Sequence, residues 1–452
     1  MSVIVLVFVL RIGRGEQELR HSKTIANASE EEREGEDSVE SEEIPEEAQL
    51  AGTGGLKANE EKGNDHSDND LIYIYRAYYD NRTGPGRLRI LAMSKCMQTG
   101  SNLTFIHRNI SRSLKYFGVE GSCPRAWVPN CVWNAYMFES TAFELGDDVE
   151  ITLLFSDARQ QNSTRHRNIS ISVVALAEAT NRVQNATLLL YINSVTDAVE
   201  KILNHYEKEG TVKVVNWPLL PSEWDEDDPN IKVYRLAHTL ANNDCVLRSD
   251  AKYAMLSDID EYVHATNMSL FDLAESYLTN STRLGSISFE HHELALHPPL
   301  DEHFEGTLFM PSRVLLPSTH NVRQHVKGFK AKKISDTEAV LLHNRVVFDV
   351  SGGFRTWRDA GEVYRRGVPF AVPNLPFGED LYNRLVELTS EIFGDEIPHQ
   401  NPRVYTTLKD CLKKWFSEGG CKDAVGRCFS SLLPLDKWVF HGPSTDSHYE
   451  SF

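Results

Sequence analysis

Two carboxylates separated by one residue, Asp258 and Asp260, end the apolar run Tyr253-Ala-Met-Leu-Ser257. Residues i and i+2 of an extended backbone share a side, so a strand that ends in this pair aims both groups the same way. Two such charges repel one another unless a cation sits between them, and hard oxygen ligands suit Mn2+ or Mg2+. A cation held there can also face a diphosphate and neutralise the charge that grows on it as it leaves. The competing reading of Asp-x-Asp is a solvated surface turn. An apolar strand directly upstream and Glu261-Tyr262 directly downstream weigh against it.

The elements around this pair alternate strand and helix. Thr187 to Ile192 (TLLLYI) is a buried strand run, and Asp197 to Lys208 places Val199, Ile202, Leu203 and Tyr206 on one helical face, with Gly210 as the stop. Thr211 to Val215 is the next strand, which makes a βαβ unit and implies a parallel sheet with a right-handed crossover. A helix over about 231–245 follows, then strands at Tyr253 to Leu256 and Gly285 to Phe289. Sheets of this kind bind ligands at the carboxyl ends of their strands. Ahead of them, LIYIYRAYYD from Leu71 and RLRILAMSKC from Arg87 have the composition of strands joined by a turn at Asn81 to Gly86. They open a small β-rich module over 71–150, in which Cys123 and Cys131 are a possible staple.

Net charge is unevenly spread. Residues 15–70 hold 18 acids against 5 bases, and the whole chain carries −18. That segment has no aromatic residue and too little apolar surface to offset its chain entropy, so it is expected to be a disordered acidic stem. The negative field excludes a general nucleic-acid binder. The body has no apolar run of about 18 residues, which excludes a multi-span transporter.

Val3 to Leu10 (VIVLVFVL) is a short apolar start followed by Arg11 and Arg14. Three readings compete for residues 1–14: a signal peptide, a clipped signal anchor, or a chance hydrophobic start. Sequons at Asn27, Asn81, Asn102, Asn109, Asn162, Asn168, Asn185, Asn267 and Asn280 favour the secretory ones. So do seven cysteines without zinc or thioredoxin spacing, for which disulfides are expected and Cys245 is read as a plain buried thiol.

The stretch Tyr234 to Cys245 followed by Tyr253 to Tyr262 resembles the "ndC … DiDE(F/Y)" block of glycosyltransferase family 92. Tyr191-Ile-Asn-Ser, Gly210 to Trp217, Pro311-Ser-Arg-Val, His320 and Leu342-His343-Asn-Arg345 extend the resemblance over roughly 169–345. It implies an α/β GT-A domain, Rossmann-like with a mostly parallel sheet, over 151–350, behind the β-rich module. The C-terminal 351–452 is then a helical, cysteine-containing extension. It also implies a nucleotide-sugar donor, typically UDP-galactose, a divalent metal, a glycan or glycoprotein acceptor, and a Golgi membrane protein of type II topology with one N-terminal anchor. A secreted protein is the alternative.

On that resemblance, Asp258 and Asp260 hold Mn2+ (or Mg2+) against the donor diphosphate, with His343 first and His320 second as a later metal ligand. An inverting transfer needs a base for the acceptor hydroxyl, and Glu290 and Glu293, just past the strand at Gly285 to Phe289, are the candidates. Lys327, among Arg323, Lys330, Lys332 and Lys333, is the candidate partner of the diphosphate, against a reading as a solvated charge run. Trp224 is read as a sugar-stacking residue or a loop anchor. Ile169 to Val183 departs from the strand the family places before its first βαβ unit, which motivates a second reading: a catalytically silent glycan-binding protein on the same scaffold. The chain has no G-x-S-x-G elbow, Walker loop, H-E-x-x-H or post-strand G-x-G-x-x-G. Glu261 directly follows Asp260, which breaks the alternation a D-x-D-x-E glycosidase needs.

Overall fold

The computed structural model describes residues 8–12, 72–82, 84–96, 102–119, 128–147, 150–156, 164–174, 187–221, 228–259, 261–293, 305–317, 321–343, 378–394, 401–444 and 448–451. The expected acidic stem, Cys123, Trp224, Asp260 and His320 lie outside these residues. Among them no helix is long and apolar enough to cross a membrane. The expected leader or anchor falls partly on described residues, where Phe8–Ile12 forms a strand, β1.

The β-rich module is a closed barrel. β2 (Ile72–Asp80), β3 (Arg87–Lys95), β4 (Asn102–His107), β5 (Ile110–Gly118), β6 (Trp133–Ser140), β7 (Glu150–Ser156) and β8 (Thr164–Val174) pair in the order β2-β3-β6-β5-β4-β7-β8, and β8 returns in parallel to β2. The module therefore runs past the expected boundary at 150 to Val174. Ile169 to Val174, expected in the following domain, belongs to β8. Barrel closure explains this, since without β8 the outer edge of β2 lacks its partner.

Alternation along β2 shows what the barrel is for. Ile72 and Ile74 join the barrel interior, whereas Tyr73 and Tyr75 pack outward against Trp217 and Tyr191. A bulge between Ile74 and Arg76 shifts the phase, so that Ala77 and Tyr79 then face in and Tyr78 faces out. β3 repeats the pattern, with Leu88, Ile90 and Ala92 inside and Leu91 and Met93 outside. These strands are apolar on both faces because each face meets a core.

The second layer is a mixed sheet. It contains β1, β9 (Thr187–Ile192), β11 (Val212–Asn216), β12 (Tyr253–Ser257), β13 (Glu261–Ala265), β14 (Leu284–Glu293), β15 (Glu305–Phe309), β18 (Lys330–Lys333) and β19 (Ala339–His343). Between these lie β10 (Ser194–Thr196), α1 (Asp197–Lys208), α2 (His238–Arg248), α3 (Leu270–Ala274) and the hairpin of β16 (Val314–Pro317) with β17 (Val322–His325). The pairing order is β11-β9-β1-β12-β15-β14-β19-β13, with β18 on β14. β9 and β11 are parallel across α1, as the βαβ reading expects, and Gly210 ends that helix at φ +75°. The pairings make β9, β11, β12, β14, β18 and β19 run one way and β1, β13 and β15 the other. The sheet is thus less parallel than expected, because β1 enters between β9 and β12 antiparallel to both.

The expected helix from about residue 231 begins only at His238. Arg235, Leu236 and Ala237 have φ of 43°, 51° and 62°, a left-handed turn that no glycine or proline announces. Tertiary bonds hold it: the Trp217 indole donates to Leu236 O at 2.7 Å, and Arg235 N to Asp423 O at 3.2 Å. Two helices, Gly378–Phe393 and Pro402–Ser417, follow in the C-terminal region. Its cysteines reach back into the barrel. Cys131 is bonded to Cys421, which replaces the expected Cys123–Cys131 staple, and Cys411 to Cys428. Cys245 is fully buried and in neither disulfide, as expected.

Barrel and sheet form one compact unit. Arg82 grips Asp80 with two bonds of 2.8 and 2.9 Å and donates to the carbonyls of Val246 and Pro311 at 3.2 and 2.9 Å. Burial alone would raise the Asp80 carboxyl, but the Arg82 bonds and charge outweigh it and its pKa lies below the ordinary value. Arg82→Ala takes the fork from that buried carboxylate, which keeps Arg89 Nε at 3.3 Å, and strips two carbonyls of their donor, a loss of about 3 kcal/mol. Arg82→Lys, which cannot fork, recovers only part of it. Urea unfolding followed by tryptophan fluorescence reads the loss, and an unchanged midpoint would contradict the assignment.

Candidate functional site

The carboxyl ends of β9, β11, β12, β14 and β19 lie at one edge of the sheet, which follows from their common direction. Asp258 comes directly after β12 at that edge and is half-buried. Its neighbour Ile259 is 65% exposed, so the turn projects from the sheet. β13 begins three residues beyond Asp258. It is nonetheless four strands along the pairing order from β12, about 19 Å in a flat sheet at ~4.8 Å per strand. Four backbone steps span at most ~14 Å. The sheet must therefore curl, returning β14, β19 and β13 toward the end of β12.

Register fixes what the curl gathers. Glu261 is opposite His343 on β19, and His343 is opposite Glu293 on β14. Three chain segments thus meet in one row beside the Asp258 turn. Glu290 is three positions back along β14, half-buried and opposite Val340. Sequence reasoning chose Glu293 and His343 separately, and the register brings them together.

Lys327 is placed elsewhere. It is exposed on the turn before β18, whose Lys330 pairs with Leu284 at the start of β14. Glu293 is at the other end of that strand, nine residues or about 30 Å away at ~3.3 Å per residue. Arg323, near the same end, donates to Val119 O at 2.7 Å, and Lys332 lies 4.6 Å over the Tyr277 ring. Lys327 and Arg323 thus belong to the far edge of the sheet, and Lys330 to Lys333 follow β14 only as far as Ser288.

Glu261 was noticed in sequence only as part of the motif. Its Oε2 accepts from Asp258 N at 2.8 Å and from Ser257 Oγ at 3.0 Å, while Glu261 N donates to Asp258 O at 3.0 Å. Both donors beside the Asp258 carboxylate are taken up by Glu261. Among the described residues no hydrogen bond then engages the Asp258 carboxylate, and a half-buried pair of hard oxygens fits a divalent cation. Among the described side chains, which do not include those of Asp260, His343 and Glu293, no three metal-ligating residues come together.

Residues 177–369 match glycosyltransferase family 92. The matched segment takes in β9 to β19, and with them Asp258, Glu293 and His343, while the barrel precedes it. No curated protein and no solved structure matches the chain. The match covers less than half of the chain; it supports a glycosyltransferase, which would bind a nucleotide-sugar donor and a glycan acceptor. Since Lys327 sits at the wrong edge, Lys327→Ala is expected to leave the affinity for a UDP-sugar with Mn2+ within about twofold of wild type. Calorimetric titration of the full chain measures this, and a tenfold loss would return Lys327 to the site.

Proposed function

We propose that the chain is a metal-dependent, inverting hexosyltransferase on a GT-A type fold. In this reading a hexose, galactose in the first instance, moves from a UDP-sugar to a glycan acceptor in the secretory pathway. The supporting observation is that the segment matching family 92 ends its apolar strand β12 in Asp258 at the carboxyl edge, with Glu293 and His343 in register beside it.

Asp258 and Asp260 would hold Mn2+ or Mg2+, with His343, or less readily His320, completing the set. The bound cation supplies Lewis acidity to the departing diphosphate. A glutamate at the end of β14 takes the acceptor hydroxyl proton while that oxygen bonds to the anomeric carbon and the bond to the diphosphate breaks, which inverts the centre. Register favours Glu293, which shares a row with His343 and Glu261, over Glu290 three positions back opposite Val340.

Exposure of the sequons supports a luminal setting. Asn81, Asn109, Asn168, Asn267 and Asn280 are all exposed. The Golgi membrane with a luminal catalytic domain is our assignment, with secretion as the alternative. Endoglycosidase treatment of the chain made in secreting cells is expected to lower its apparent mass by several glycans' worth. Unchanged mobility would remove the assignment.

The metal is tested by melting temperature. Wild type with UDP-galactose is expected to melt higher only when Mn2+ is present, since a ligand that binds the folded state alone stabilises it. Chelation and Asp260→Asn should each abolish that shift with little change in the ligand-free Tm, because Asn keeps the shape while removing a repelling charge. A metal-independent shift that survives the substitution would show that the pair does not face the diphosphate. No shift with any UDP-sugar, together with no donor hydrolysis, would favour the silent glycan-binding scaffold.

A further inference from the structure

We infer that Glu261 is a positioning residue, a carboxylate clamp that fixes Asp258 at the end of β12 in the orientation the proposed cation site needs. The inference rests on the proposed metal and diphosphate reading and adds a residue through which Asp258 is held.

Packing does little to hold this turn, because its tip residue Ile259 is mostly exposed and β12 and β13 are not sheet neighbours. A three-residue link of this kind would sample many orientations. Two facts restrict it. The first residue of β13 is fixed by pairing with β19, Glu261 opposite His343. From there the Glu261 side chain reaches back across the link and takes the N–H of Asp258 and the hydroxyl of Ser257 on a single oxygen, while its own N–H closes the loop on Asp258 O. A charged acceptor makes these bonds stronger than neutral ones. The strand that brings His343 is thereby coupled to the turn that brings Asp258. Glu261 is not itself directed at the cation through Oε2, which is committed to the clamp.

This role makes a prediction that a ligand role does not. Glutamine keeps an acceptor oxygen in the same place and loses only the charge, so Glu261→Gln should preserve the clamp where Glu261→Ala cannot. The experiment uses the full chain and two readouts. The first is hydrogen exchange, by mass spectrometry, of a peptide spanning the end of β12 and the turn. Exchange should accelerate in Glu261→Ala, return toward wild type in Glu261→Gln, and stay slow in Asp258→Asn, whose backbone N–H still donates. The second is the Mn2+ concentration that gives half-maximal UDP binding. It should rise at least tenfold in Glu261→Ala and less than threefold in Glu261→Gln.

Equal losses in Glu261→Ala and Glu261→Gln, approaching that of Asp258→Asn, would make Glu261 a ligand and overturn the inference. A lower Tm in Glu261→Ala with the Mn2+ requirement unmoved would reduce it to a structural residue and overturn it as well. If wild type binds no UDP with Mn2+, the functional reading falls by itself. Exchange then decides the clamp alone: acceleration in Glu261→Ala that Glu261→Gln reverses upholds it, and unchanged exchange overturns it.

Discussion

Asp244 has no exposure to solvent, and a buried carboxylate is tolerated only when its oxygens are satisfied. Three groups do this from three parts of the chain. Tyr78 of the barrel donates at 2.5 Å, Tyr191 of β9 at 2.6 Å, and Arg248 in the last turn of α2 at 2.9 Å. Burial, and after it the Asp244 charge, pushes both phenols well above their ordinary pKa, so they remain donors throughout the physiological range. The helix is thereby located relative to the barrel and the sheet at once. Only four residues separate that helix from β12, so the position of the Asp258 turn derives from this triple contact.

The barrel is consequently part of the wall on which the sheet is built. Tyr75 meets Trp217 at 4.7 Å between ring centres, Tyr73 donates to Pro221 O at 2.6 Å, and Trp133 N to Lys232 O at 3.2 Å. The C-terminal segment completes this wall. Tyr449 packs on Tyr75 and Trp217, Trp438–Phe440 pairs with β10, and the Cys131–Cys421 bond joins regions 290 residues apart in sequence. Segments far apart in the sequence thus share one core, and the family 92 segment depends on residues outside it for burial of α2.

Much of this was legible wherever periodicity or punctuation is local. Thr187–Ile192 and Asp197–Lys208 follow from their apolar spacing, and Gly210 stops the helix where its positive φ is needed. Failures came where a distant segment decides the outcome. The left-handed turn at 235–237 is held by Trp217 and Asp423, neither of which is near it in sequence. Phe8–Ile12 pairs with β9 and β12, a use of the apolar start that no local feature announces. Lys327 looked plausible for charge alone, and charge contains no information about which end of a strand it will occupy. The role of Asp244 did leave a signal: Asn242, Asn243 and Asp244 form a polar run inside a buried helix, and a carboxylate there calls for donors from elsewhere in the chain.

The Asp258 turn shows how a site can be precise without a core of its own. Metal-ligand geometry tolerates errors of a few tenths of an ångström, finer than an exposed three-residue link provides by itself. Here the error is restricted from both sides. Upstream, α2 is anchored by Asp244 and delivers β12 in register with β1 and β15. Downstream, β13 is registered on β19, and β19 on β14. The curl of the sheet makes the two constraints meet over a gap of three residues, and the bonds from Ser257 and Asp258 to Glu261 close it. Since the same pairing also determines where Glu293 and His343 stand, a displacement of β19 would move Asp258, His343 and Glu293 together. Their relative geometry would change less than their absolute position, which is the property a displacement reaction requires of groups drawn from three separate strands.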